Sequence, residues 1–133
     1  QFETQFFASR RQIQKENFDA WISSNPLSDF GYYVKKNQPD NMIIITTKNR
    51  DSARAILNYH QIHPQNIYGN NEVRSAGSKG NLLNKILDRS SLDRIFFIDD
   101  SIEHLDTVNN DNIYCYFANW GYGVNNGYKV YCL

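Results

Sequence analysis

The stretch Arg94-Ile-Phe-Phe-Ile-Asp-Asp-Ser-Ile-Glu-His-Leu-Asp106 sets the tightest limit on what this chain can fold into. Its apolar run, Ile95 to Ile98, reads as a buried parallel strand. The run stops at two adjacent carboxylates, Asp99 and Asp100. The carboxyl end of a strand in an open α/β sheet faces a crevice, the usual place for a ligand. Adjacent carboxylates repel one another and are costly unless a cation sits between them. Ligands that offer only oxygen suit a hard ion such as Mg²⁺. Ser101 reads as the N-cap of a short helix carrying Ile102, Leu105 and Val108. The plain alternative is a surface turn with an acidic cap.

The rest of the chain alternates helices and strands. Helical spacing covers residues 8–24, with Ile13, Phe18, Trp21 and Ile22 as the apolar stripe, and Ser23-Ser24-Asn25-Pro26 ends it. A second helix is predicted from Ser28 to Lys36, with Phe30, Tyr33 and Val34 inward. Met42 to Ile45 reads as a buried strand. A helix follows from Asp51 to His60, with Ala53, Ile56 and Leu57 at core spacing. Ile67-Tyr68 is a short strand and Ser78 to Leu87 a helix burying Leu82, Leu83, Ile86 and Leu87. Strands are predicted again at Ile113 to Phe117 and Tyr128 to Leu133, with a loop from Asn119 to Gly127. Phe96, Phe97 and Phe117 are expected in the core. Asn70-Asn71, Asn109-Asn110 and Asn125-Asn126 read as turn formers. This alternation argues βαβ units with right-handed crossovers, and a Rossmann-like three-layer α/β fold with a mainly parallel sheet. The strands at Met42–Ile45, Ile95–Ile98 and Ile113–Phe117 are expected side by side or nearly so.

Length and composition fit one globular domain: 133 residues, 41% hydrophobic and 21% charged. Fourteen basic residues balance 14 acidic ones, which gives no pull toward nucleic acid or a membrane surface. No apolar run approaches the roughly 20 residues that span a bilayer. Cys115 and Cys132 lack metal or redox spacing and read as buried free thiols in a cytoplasmic protein, with a disulfide between neighbouring strands as the alternative. The chain opens without a strand and closes without a helix, so the domain is expected to lack both.

Three polar features stand at strand or helix ends. Thr46 follows Met42–Ile45, with Thr47 beside it. Lys79 opens a helix, where a cation is mildly disfavoured by the dipole and so is placed for another reason. Asp99 and Asp100 end the next major strand. A hydroxyl, an ammonium and a carboxylate pair with a metal are the parts that hold a phosphoryl group. Receiver domains of two-component systems use the same parts with the acidic pair first. Here the acidic pair comes last.

That order resembles the haloacid-dehalogenase (HAD) superfamily of phosphohydrolases. Ile43-Ile-Ile-Thr-Thr-Lys-Asn-Arg50 resembles its second motif, Ser78-Lys-Gly-Asn-Leu-Leu-Asn-Lys-Ile-Leu87 its third and Phe97-Ile-Asp-Asp-Ser101 its fourth. Asn119-Trp-Gly-Tyr-Gly123 resembles the loop that often follows the fourth. The resemblance spans roughly residues 28 to 123. It implies a Mg²⁺-dependent phosphatase, capless or minimally capped. Thr46, Lys79 and Asp100 would be catalytic, Thr46, Thr47 and Lys79 would bind phosphate, and Asp99 and Asp100 would bind metal. The partner implied is a phosphorylated substrate, small or macromolecular.

The departure lies in the family's first motif, Asp-x-Asp-x-Thr, whose first Asp is the nucleophile. The chain opens Gln1-Phe-Glu-Thr-Gln-Phe-Phe-Ala-Ser-Arg10, and no Asp occurs before Asp19. One register sets Gln1 at the nucleophile and Glu3 at the acid. The other sets the nucleophile ahead of Gln1. Glutamine is too poor a nucleophile to form an acyl phosphate. Two functions follow: a phosphohydrolase whose nucleophile this chain lacks, or a pseudophosphatase that binds phosphate or a partner. His60 and His63 flank a helix end that they can cap. His104, one turn beyond Asp100, is a candidate to touch the site, and Trp120 a candidate to touch a substrate or partner.

Overall fold

The computed structural model describes residues 29–119, 123, 125 and 127–131. The predicted helix over 8–24 lies outside the described residues, as do Gln1, Glu3, Trp120 and Cys132. The chain divides into two compact units, Gln1–Asn71 and Glu72–Leu133. Both are α/β, and every described strand pairing is parallel.

In the first unit, helix α1 (Asp29–Asn37) leads to strand β1 (Ile43–Ile45). Parallel strands need a crossover, and helix α2 (Arg50–Tyr59) supplies it before strand β2 (Asn66–Tyr68). β1 and β2 pair with Ile43 opposite Asn66 and Ile45 opposite Tyr68. The Asn49 side chain caps α2 by accepting from the amides of Asp51 and Ser52 at 2.9 and 3.2 Å. The helix therefore starts one residue earlier than the predicted Asp51. Ala53 on α2 and Ile67 on β2 are buried. His60 is the C-cap residue, and Gln61 turns the chain with a left-handed φ of 60°. Tyr33 is a correction: expected inward, it is 49% exposed and stacks on Phe30 at 6.4 Å.

The second ladder comprises β3 (Ile95–Asp99), β4 (Ile113–Ala118) and β5 (Lys129–Tyr131), in that order. Ahead of it run helix α3 (Asn70–Ala76), which crosses the unit boundary, and helix α4 (Lys79–Arg89). Asn70-Asn71 begin α3 instead of forming a turn, since short polar side chains are as suited to a helix start as to a bend. Asn110 and Asn125 do form turns, their side-chain oxygens accepting from the amides of Asn112 and of Gly127 and Tyr128. Ser78 caps α4 by accepting from the Asn81 amide at 3.0 Å. Leu82, Leu83, Ile86 and Leu87 on α4, Phe97 on β3, and Ile113 and Phe117 on β4 are all buried. Helix α5 (Ile102–Leu105) contacts α4, β3 and β4, and its Leu105 is fully enclosed.

One expectation fails and another holds only in part, each for a physical reason. Phe96, expected in the core, is 57% exposed. A strand has period two, so burying Phe97 turns Phe96 to the other face. There it stacks on Tyr114 at 5.5 Å, with the Arg94 guanidinium 5.5 Å from its centroid. Second, of the three strands expected side by side or nearly so, Ile95–Ile98 and Ile113–Phe117 are parallel neighbours as expected, whereas among the described residues Met42–Ile45 pairs with neither. β1 pairs with β2, whereas β3 pairs with β4. Neighbour choice among parallel strands depends on how each crossover folds back, which no local pattern encodes.

Candidate phosphate site

β3 runs one residue further than its apolar stretch suggests and ends on Asp99. Asp99 stands two residues beyond Phe97, so the strand's period points it to the same buried face. Its side chain is 7% exposed and that of Lys79 8%. Buried charges persist only when paired and hydrogen-bonded. Both conditions are met. Lys79 Nζ donates to Asp99 Oδ2 at 2.7 Å, His104 Nδ1 lies 3.1 Å from the same oxygen, and the Ser101 amide donates to Asp99 Oδ1 at 2.8 Å. Burial pushes the Asp99 pKa up. The hydrogen bond and charge of Lys79, the Ser101 amide and His104 outweigh it, holding the carboxyl below its ordinary value of 3.8.

Lys79 is carried to this spot by the first turn of α4. Gly80 explains how the turn comes so close: a Cβ there would overlap the Thr107 carbonyl just after α5. Thr107 Oγ1 accepts from the Gly80 amide at 2.9 Å and donates to the His104 carbonyl at 2.6 Å. Asp100, half-buried, follows directly on the strand. Its carbonyl packs so tightly on Gly123 that a Cβ there would overlap it. This ties the loop after β4 to the acidic turn.

Of the residues expected at the site, Lys79 and Asp99 are in direct contact, and Asp100 is next in the chain. Thr46 and Thr47 belong to the first unit, immediately after β1. The Thr46 amide donates to the Tyr68 carbonyl at 2.9 Å, and its hydroxyl accepts from the Lys48 amide at 3.0 Å. Thr47 is exposed. Ser101 caps α5 as predicted, accepting from the His104 amide at 3.4 Å. Thr107 lies outside the motifs that mark the site in the sequence, and those motifs do not disclose its close approach to Gly80. A glycine in the first turn of a helix costs about 1 kcal/mol against alanine, and that cost was the available signal of a close approach.

The family models, the curated proteins and the solved structures contain no match to this chain.

Among the described residues no group of three His, Cys, Asp or Glu side chains is placed to hold a metal ion. Both Asp99 oxygens are already engaged, and the cation against this carboxylate is the Lys79 ammonium. A divalent ion bound there would have to displace it. Asp100 is the adjacent carboxylate, and Mg²⁺ commonly binds through one or two carboxylates completed by water and substrate phosphate. Cys115 is a free, half-buried thiol whose pKa is raised by burial. Among the described residues no helix is long and apolar enough to cross a membrane.

Proposed function

We propose that the chain carries the phosphate-holding part of a HAD-type, Mg²⁺-dependent phosphohydrolase. The observation that supports this best is the buried Lys79–Asp99 pair at the carboxyl end of a parallel strand, with Asp100 following. One of the three N–H groups of the ammonium donates to Asp99. The charge so fixed can face a phosphate oxygen in a water-poor setting, where it acts more strongly than in bulk water. Asp100 would hold Mg²⁺, which when bound offsets charge on the phosphoryl group. The motif resemblance implies a phosphate-binding role for Thr46 and Thr47 as well. A Rossmann-like three-layer arrangement belongs to the same proposal, supported by the parallel pairings and the motif order. Cytoplasmic residence is proposed on the free Cys115 thiol.

The substrate class is a phosphorylated molecule, small or macromolecular. The pseudophosphatase reading draws on Gln1 and Glu3, which one register of the first-motif resemblance sets at the nucleophile and acid positions. Both readings share the phosphate site, so binding tests it directly. Titration calorimetry with orthophosphate and MgCl₂ should show binding by the wild type. Lys79→Met should weaken orthophosphate binding by about tenfold or more, the worth of a charge-assisted hydrogen bond. Asp100→Asn should remove the Mg²⁺ dependence. Unchanged affinities in both variants would leave Lys79–Asp99 as a structural ion pair and end the proposal.

A further inference from the structure

Lys79 is held through its side chain and through its neighbouring backbone, and the two paths meet. The ammonium donates to Asp99 Oδ2, which also lies 3.1 Å from His104 Nδ1. The His104 carbonyl accepts from the Thr107 hydroxyl. Thr107 Oγ1 in turn accepts from the amide of Gly80, the residue bonded to Lys79. The path thus closes on itself, joining the start of α4, the end of β3 and the turn after α5.

We propose that this closed circuit aims the Lys79 ammonium, and that His104 and Thr107 are positioning residues of the phosphate site. The inference rests on the phosphate reading given above. Three physical points support it. A lysine stem has free rotations that leave its point charge unaimed unless something fixes it. The Asp99 carboxylate is held at both oxygens, with the Ser101 amide on one and the His104 ring on the other. A carboxylate only accepts, so the His104 proton sits on Nδ1. Thr107 uses its hydroxyl in both senses, donating to His104 and accepting from Gly80. A side chain of the same shape without the hydroxyl could do neither. His104 and Thr107 act through Asp99 and Gly80 and need not touch a phosphate.

The test uses the 133-residue chain with ¹⁵N-labelled lysine. An ammonium held in a buried ion pair exchanges its protons slowly enough to give its own NMR signal, whereas a solvated one does not. The wild type should show this signal for Lys79, confirmed by its loss in Lys79→Met. His104→Leu and Thr107→Val should each broaden or remove it. His104→Asn, which keeps a donor near the Nδ1 position, and Thr107→Ser, which keeps the hydroxyl, should retain it. Orthophosphate affinity should follow the same order, falling on the order of tenfold in the first pair and about twofold or less in the second. Absence of the signal in the wild type would overturn the proposal. So would its survival in both His104→Leu and Thr107→Val, or equal loss in the disruptive and conservative variants, which would reduce the circuit to packing. If the signal behaves as expected but no variant or wild type binds orthophosphate, the circuit stands and the phosphate reading fails.

Discussion

Lys79 and Asp99 depend on each other because their side chains are only 8% and 7% exposed, so water does little to compensate either charge. Breaking a buried pair by removing one partner typically costs about 3–5 kcal/mol, since the remaining charge stays uncompensated. Asp99→Asn is expected in that range by urea denaturation at neutral pH. Lys79→Met should cost less: it keeps an apolar stem of similar length, and Asp99 retains the Ser101 amide and the His104 ring. Equal losses would mean that these two contacts contribute nothing to holding the carboxylate. The pH dependence has a definite sign. The Asp99 pKa is lower in the folded chain than its ordinary value of 3.8, so the unfolded chain takes up the proton first. The stabilisation is complete above about pH 4 and disappears as pH falls through the folded value. Acid unfolding of Asp99→Asn should lack that component and run flatter below pH 4.

Helix α4 illustrates how an element can be readable and its purpose hidden. Ser78 and the spacing of Leu82, Leu83, Ile86 and Leu87 announce the helix without any structure. Propensity alone says that alanine at position 80 would improve it by about 1 kcal/mol. The packing on Thr107 says the opposite, and packing should win. Gly80→Ala is expected to lower the melting temperature and weaken orthophosphate binding by shifting the first turn away from Asp99. A rise in melting temperature would show that the Thr107 turn gives way easily. The segment before β5 offers a second check. The Tyr128 hydroxyl donates to Asp106 at 2.6 Å, and this bond to a carboxylate, with burial, pushes its pKa up to about 12. Because the folded value is raised, the contact stabilises below pH 10 and is lost as pH rises through about 12. In spectra of ¹³C-labelled tyrosine, Tyr128 should titrate late, and Asp106→Asn should return it toward 10. Local pattern made β3, its acidic end and the Ser101 cap readable, because each depends on residues close in sequence. It could not show that Asp99 still belongs to the strand, that Asn70-Asn71 open a helix, or that Phe96 faces outward. Those outcomes depend on which strand face the helices cover and on contacts such as Gly80 to Thr107, 27 positions apart.

Taken as a whole, the chain joins a site rich in charge to a balanced composition, 14 basic and 14 acidic residues. Its chemistry therefore has to come from local arrangement and not from a global field. That arrangement has limits. On the proposed reading, Lys79 and a metal at Asp100 would stabilise charge on a phosphoryl group, but neither is a nucleophile for it. The covalent route, which splits hydrolysis into two easier steps, needs an acceptor such as an aspartate. Residues 1–18 contain no aspartate, and one register of the first-motif resemblance would set Gln1 and Glu3 at the nucleophile and acid positions. The 133-residue chain is accordingly expected to bind orthophosphate and Mg²⁺ without turning over an aryl phosphate. Positioning and electrostatics alone would speed direct attack by water only slightly. The measurement is release of aryl alcohol at saturating Mg²⁺, compared between the wild type and Asp100→Asn. Matching, near-background rates agree with a binding site that lacks its acceptor. Gln1→Asp then becomes the informative variant: a Mg²⁺-dependent gain would place the nucleophile in the register that begins at Gln1. Strong hydrolysis by the wild type, abolished in Asp100→Asn, would show instead that another residue of this chain already accepts the phosphoryl group.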